Sequence, residues 1–223
     1  MVRKSPLITG SVYHIFNRSI ADFIIFNDRR DYQRMLMLFF YFQIENPPSK
    51  FSYFIRHKAT ADLGFFQVFD EIANDQDKNV QIIAYCLMPT HIHMILKQLK
   101  DKGISTYLSN ISNAYARYFN ICHRRKGPLW EGEFKNVLVE NNDQLLHLTR
   151  YIHLNPVTAS LVEKPEDWSY SSYLEYLGRD NIHQFCNYEN ILEIDPKKYQ
   201  AFVEDRIDYQ KELAKIKKLS IDS

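Results

Sequence analysis

Residues 79–99 read NVQIIAYCLMPTHIHMILKQL. Two apolar runs flank a Met-Pro-Thr turn, and both are short and rich in strand-forming residues. The stretch therefore predicts an antiparallel hairpin, with strands over 79–88 and 91–99. The second strand carries His91 and His93 on either side of Ile92. Residues two apart in a strand share a face, so the imidazoles project together and Ile92 points the other way. Two such rings can converge on one ion, or each can bond a backbone carbonyl. Either way they need partners, because an unpaired buried polar group costs roughly 1–3 kcal/mol.

Working outward, GSVYHIFNRS (10–19) alternates and predicts a strand over 11–17. Asp28 is placed to cap a helix over about 29–43, which NPPSK (46–50) stops. Residues 50–78 show no clear period, and about 46–78 reads as an inserted excursion. After the hairpin, Ile104, Leu108, Ile111, Tyr115, Tyr118 and Phe119 recur at helical intervals within 104–125. Gly127-Pro128 ends that helix, and 129–140 regains strand character. NNDQLLHLTRYIHLNPV (141–157) predicts a helix capped by Asn142 or Asp143 and closed by Pro156. The order βαββαβ is the ferredoxin-like pattern: an α+β antiparallel sheet with helices on one face, here with one added helix. Residues 157–223 look different, with short helices ending in a charged amphipathic one. The expected division is a domain over 1–160, carrying the insertion at about 46–78, and a helical C-terminal extension over 161–223.

With 28 Lys and Arg against 27 Asp and Glu, the chain is almost neutral. The charge is unevenly placed, since ARYFNICHRRKGPLWEGEFK (116–135) is basic and aromatic while 163–195 is mostly acidic. A local basic stripe is what a phosphate backbone reads, so net neutrality does not exclude nucleic acid. No apolar run approaches the roughly 20 residues of a membrane span. The N-terminus lacks the apolar core of a signal peptide, so a cytoplasmic, nucleoid-associated location is expected. Three scattered cysteines, Cys86, Cys122 and Cys186, fit a reducing compartment and form no CxxC pair.

A second constellation lies in HLTRYIHLNP (147–156). On a helix, His147, Tyr151 and Asn155 share one stripe, with Leu145, Leu148 and Ile152 making the adjoining apolar face. A tyrosine followed one turn later by an amide offers a nucleophile and an oxygen ligand from one surface. The competing reading packs Tyr151 in the core and makes Asn155 a helix-end residue before proline. His153 falls opposite Tyr151, as a solvated or packing residue.

YHIFNRS, AYCLMPTHIHMIL, GPLWEGEFK and RYIHLNPV occur in that order, and DWSYSSYLEYLG follows. Together they resemble the REP-associated tyrosine transposases, within the single-tyrosine HUH-type (histidine, hydrophobic residue, histidine) group, over about 10–177. The resemblance implies an HUH-type transposase catalytic domain that cuts and rejoins single-stranded DNA near hairpins. His91 and His93 match the metal-binding pair, Asn155 the third ligand, and Tyr151 the nucleophile. Its attack would leave a 5′-phosphotyrosine and a free 3′-hydroxyl. The implied cofactor is Mg²⁺ or Mn²⁺, although imidazole ligands suit manganese better than magnesium. A phenol, with a pKa near 10, needs such help to attack a phosphodiester. Candidate supports for the ligands are His14 and His147. Candidate DNA contacts are Arg117, Arg124, Arg125, Lys126, Trp130 and Tyr115, and each of these also fits a solvated or packing role. The expected partner is single-stranded DNA with hairpin or palindromic elements, bound by a monomer or homodimer and away from any membrane. Two other readings keep the fold: a hairpin-binding regulator that cleaves nothing, and a phosphodiesterase that activates water and uses Tyr151 only structurally.

Overall fold

The computed structural model describes residues 6–73, 76–179 and 184–212. Four strands, β1 (Val12–Arg18), β2 (Val80–Met88), β3 (His91–Gln98) and β4 (Lys135–Val139), form one antiparallel sheet in the order β2-β3-β1-β4. That is the ferredoxin-like order expected from the sequence. The crossover helices α1 (Arg29–Tyr41) and α5 (Gly103–Cys122) lie together on one face. There Phe39 of α1 meets Tyr85 of β2, and the Tyr107 hydroxyl of α5 donates to the Phe39 carbonyl.

Asp28 caps α1 as expected, its carboxylate accepting from the Arg30 and Asp31 amides at 2.8 and 3.3 Å. The inserted excursion over 46–78 shows no period because its helices are three short pieces, α2 (Phe51–Phe54), α3 (Lys58–Leu63) and α4 (Phe65–Ala73). Phe51, Phe54 and Phe69 surround the buried Tyr41 ring at centroid distances of 5.1, 5.1 and 5.2 Å. Aromatic burial, not helical patterning, fixes this insertion to α1. Gly103 opens α5 where a Cβ would sit 2.3 Å from the Asn79 carbonyl oxygen, so only glycine lets helix and strand end meet.

Three expectations need correction. Strand β4 is shorter than 129–140, because Leu129 is buried and Trp130 bridges Ser19 outside the ladder. The helix α6 (Asn142–Thr158) is capped by Asn141, which accepts from the Gln144 amide at 2.8 Å. Pro156 does not close α6, which runs two residues further. Proline leaves the Ile152 carbonyl without its helical donor. Asn155 Nδ2 compensates, reaching the Tyr151 and Ile152 carbonyls at 3.1 and 3.5 Å.

All nine residues of β2 are buried although it is an edge strand. Its outer edge is covered by the C-terminal segment: Leu87 N–H donates to the Tyr170 carbonyl, Ser172 N–H to Tyr85, and Asn187 N–H to Ile82. The short helix α7 (Tyr173–Tyr176) and α8 (Pro196–Glu204) complete this segment and share the core of the sheet. The expected charged amphipathic run at the end of the chain begins with α8, and its residues beyond 212 lie outside the described ones.

Candidate active site

The register pairs Phe16 with His93 and Arg18 with His91, so His14, Phe16, Arg18, His91 and His93 occupy one face of the sheet. This is the face opposite α1 and α5. His14 Nε2 lies 3.1 Å from His93 Nδ1, and the two rings stack at 5.3 Å. His91 Nδ1 lies 3.0 Å from the Thr90 hydroxyl. Each histidine of the pair thus has its Nδ1 engaged, and the tautomer that donates from His93 to His14 leaves His93 Nε2 a bare lone pair. Burial pushes the His93 pKa down to about 3, with His91, His14 and the Arg18 charge adding to it. Burial lowers His91 to about 4, aided by Arg18, and His14 to about 4. All three are neutral near pH 7, the state a metal ligand requires.

Helix α6 crosses this face and sets the Tyr151 ring edge-on to His93 at 5.9 Å and to His14 at 6.3 Å. Tyr151 is 46% exposed and so is reachable from solvent. Asn155, one turn on, has its amide nitrogen committed to carbonyls, which leaves Oδ1 as its free acceptor. Among the described residues no three His, Cys, Asp or Glu side chains form a metal cage by themselves. Two neutral imidazoles and an amide oxygen nevertheless fit a divalent ion that keeps positions open for substrate oxygens.

What holds α6 in place was not visible in the sequence. His153 is fully buried, 2.7 Å from the Tyr199 hydroxyl through Nδ1 and 2.8 Å from Ser172 Oγ through Nε2. One proton arrangement satisfies the whole chain. Tyr85 N–H donates to Ser172, and Ser172 donates to His153 Nε2. His153 Nδ1–H donates to Tyr199, Tyr199 to Thr149, and Thr149 to the Leu146 carbonyl. Burial lowers the His153 pKa to about 3, keeping it neutral. Of the two expected readings, solvated or packing, the structure selects packing. A lone His in an apolar helix carries no local sign of such a network, since both partners come from after residue 170.

Of the other expected residues, His147 faces α8, bonding Arg150 at 2.8 Å and packing on Phe202. It is not brought to the histidine pair. Tyr115 is sealed in the core with its hydroxyl donating to the Ile25 carbonyl at 2.5 Å, so its proposed DNA contact is corrected: it has no surface to offer. Trp130 is half-buried and donates to the Ser112 carbonyl. Arg117, Arg124 and Lys126 are exposed, and Arg125 lies over the Phe23 ring. The loop that follows them returns to the site, where Glu131 N–H donates to the Arg18 carbonyl. A pocket of about 390 Å³ opens there, lined in part by Phe16, Arg18, Glu131, Glu133 and Lys135.

Residues 54–155, which include the histidine pair, Tyr151 and Asn155, match the family described as transposase IS200 like. The chain is similar to the IS200-like transposases. A protein of Haemophilus influenzae, named as a REP-associated tyrosine transposase, is 26% identical over 103 residues. The match takes in 42% of this chain and spans 58% of that relative's length. A solved structure of a REP-associated tyrosine transposase bound to a REP hairpin superposes with a TM-score of 0.54 at 16% identity. It covers 87% of this chain and 98% of the other. The likeness in sequence thus spans the hairpin-to-α6 region, and the likeness to that solved structure is one of fold. No described helix is long and apolar enough to cross a membrane.

Proposed function

We propose that this chain is a metal-dependent single-stranded DNA endonuclease and strand transferase that acts beside DNA hairpins. The observation that carries the reading is Tyr151, set by its own chain's α6 within 5.9 Å of the His93 ring. The relatives' names point the same way.

In this reading His91 and His93 would hold Mg²⁺ or Mn²⁺ through their free ring nitrogens, with the Asn155 amide oxygen as the third ligand. Such an ion, when bound, withdraws charge from the scissile phosphate and orients its oxygens. The chain's own residues do the rest. His14 and Thr90 fix the two imidazole tautomers through Nδ1. The α6 helix delivers the Tyr151 oxygen, which forms a bond to phosphorus as the bond to the upstream 3′-oxygen breaks. One proton leaves the phenol and one arrives on the departing oxygen. The products are a 5′-phosphotyrosine and a free 3′-hydroxyl, and the covalent link retains the bond energy needed to reseal the strand.

The test is incubation with Mn²⁺ and a hairpin oligonucleotide copied from palindromes bordering the gene. A covalent protein–DNA adduct is expected with the parent and absent with Tyr151→Phe. Hairpin binding without any adduct would favour the non-cleaving regulator. Cleavage retained in Tyr151→Phe would favour a water-activating phosphodiesterase.

A further inference from the structure

Arg18 ends β1 across from His91, on the same face of the sheet. Its charge reaches both imidazoles of the pair and adds to burial in keeping them neutral. The backbone around it is fixed on two sides. Its carbonyl accepts from the Glu131 amide at 2.9 Å, and Ser19 N–H donates to the Thr90 carbonyl at 2.9 Å. The guanidinium is far less committed. Among the described residues its one ion-pair partner is Asp22, at 3.4 Å, and the two side chains are 57% and 66% exposed. An ion pair that open is worth about 0–1 kcal/mol. Glu131 and Glu133 line the pocket beside Arg18 and are not among its partners.

Asp22 reaches Arg18 from a strained turn. Ala21 and Asp22 both have left-handed backbone, with φ of 51° and 52°, which disfavours a non-glycine residue by about 1–2 kcal/mol. The Ser19 hydroxyl, donating to the Phe23 carbonyl at 2.6 Å, and Ile20 N–H, donating to the Leu129 carbonyl at 3.0 Å, hold the turn closed.

A cation beside a divalent-ion site repels the ion, so the two sit together favourably only when they share an anion. The anion that the proposed reaction brings to this face is a phosphodiester with two non-bridging oxygens. One can face the ion while the other meets a guanidinium fork. As the tyrosine oxygen adds, the phosphate gains negative charge, and a fixed cation stabilises it most at that point. Arginine suits this task better than lysine, because it stays charged throughout and presents its donors in a plane.

We propose that Arg18 is a further catalytic residue, whose guanidinium leaves Asp22 when DNA binds and grips a non-bridging oxygen of the scissile phosphate. The assignment rests on the reading of the chain as a DNA strand transferase. Arg18 gives up no proton. It donates hydrogen bonds that strengthen as the new bond to phosphorus forms and the old one breaks. Asp22 is its resting partner, so the histidine pair does not face an unpaired cation before substrate arrives.

A binding cycle tests the contact without needing catalysis. In the Tyr151→Phe background with Mn²⁺, a hairpin oligonucleotide carries a neutral methylphosphonate at each position of its single-stranded flank in turn. At one position, Arg18→Gln and the methylphosphonate should each weaken binding about tenfold, and together no more than about tenfold, since both remove the same contact. Losses that multiply at every position overturn the assignment. With Tyr151 present, Arg18→Gln should slow adduct formation on the order of 100-fold, and Arg18→Lys should recover part of it. An unchanged adduct rate in Arg18→Gln overturns the proposal. Asp22→Asn, which frees the guanidinium, should tighten DNA binding about two- to fivefold, the worth of an exposed ion pair. If Asp22→Asn is instead as defective as Arg18→Gln, Arg18 only holds the turn and the proposal falls. Mn²⁺ affinity without DNA should not fall in Arg18→Gln; a fall would make Arg18 a support of the metal ligands and overturns its contact with phosphate. If the parent forms no adduct with any hairpin yet the cycle finds one coupled phosphate, the strand-transfer reading fails while the phosphate contact stands.

Discussion

Removing one oxygen atom, in Tyr199→Phe, should loosen the helix that carries Tyr151. The ring stays, so no cavity opens, and Thr149 keeps its bond to the Leu146 carbonyl. What is lost is the acceptor for His153 Nδ1, in a site with no access to water. A buried donor left unpaired costs about 1–3 kcal/mol. With a urea m-value of about 2–3 kcal/mol/M for a chain of this size, the midpoint should fall by about 0.5–1 M. Trp130 and Trp168 provide the fluorescence signal, and the m-value itself should hold. A double-mutant cycle with Ser172→Ala separates the network from its parts. Both residues bond His153, so a coupling above about 0.5 kcal/mol is expected. Adduct formation at Tyr151 should slow in the same variants while hairpin affinity is kept. The reasoning is refuted if Tyr199→Phe unfolds within about 0.3 kcal/mol of the parent, or if the two substitutions are simply additive.

Acid should destabilise the fold earlier than carboxylate titration alone would. His153 has a folded pKa of about 3 against 6.5 unfolded, so its contribution is complete above pH 6.5 and is lost as pH falls toward 3. Each unit below 6.5 removes about 1.4 kcal/mol per such histidine; urea midpoints between pH 7 and 5 read this, and His153→Gln should flatten the slope by about one proton. An identical slope in that variant would contradict its burial as a neutral group. In His14→Phe, Mn²⁺ affinity measured by calorimetry should weaken about 10- to 100-fold, since His93 loses the partner at its Nδ1; equal affinity would remove His14 from the site. Gly103→Ala should cost about 1–3 kcal/mol in thermal or urea unfolding, because the added carbon meets the Asn79 backbone oxygen. A neutral result there would mean that α5 and the strand end shift apart freely.

The sequence made the hairpin legible because β2 and β3 are covered on both faces and therefore read as near-continuous apolar runs. His91 and His93 stood out because they depart from the apolar pattern of their strand, whereas Tyr151 was singled out by the resemblance that RYIHLNPV carries. Partners supplied from far along the chain left no such trace. Tyr170, Ser172 and Asn187 cover the edge of β2 through backbone atoms, which have no side-chain signature. His153 looks in sequence like any helix-borne histidine. Tyr115 was misjudged because a basic, aromatic stretch reads as surface, whereas every fourth residue of α5 turns inward.

The anchoring of α6 to β2 and α8 by residues of the same chain has a mechanical consequence. On the proposed chemistry, a nucleophile borne on a helix held at Thr149 and His153 would not swing to another station between one cut and the next. An end of DNA attached to Tyr151 would wait where it was cut. The traffic must then be in the nucleic acid, with the liberated 3′ end leaving and a different one arriving, while the protein serves as the fixed bench on which the two are joined.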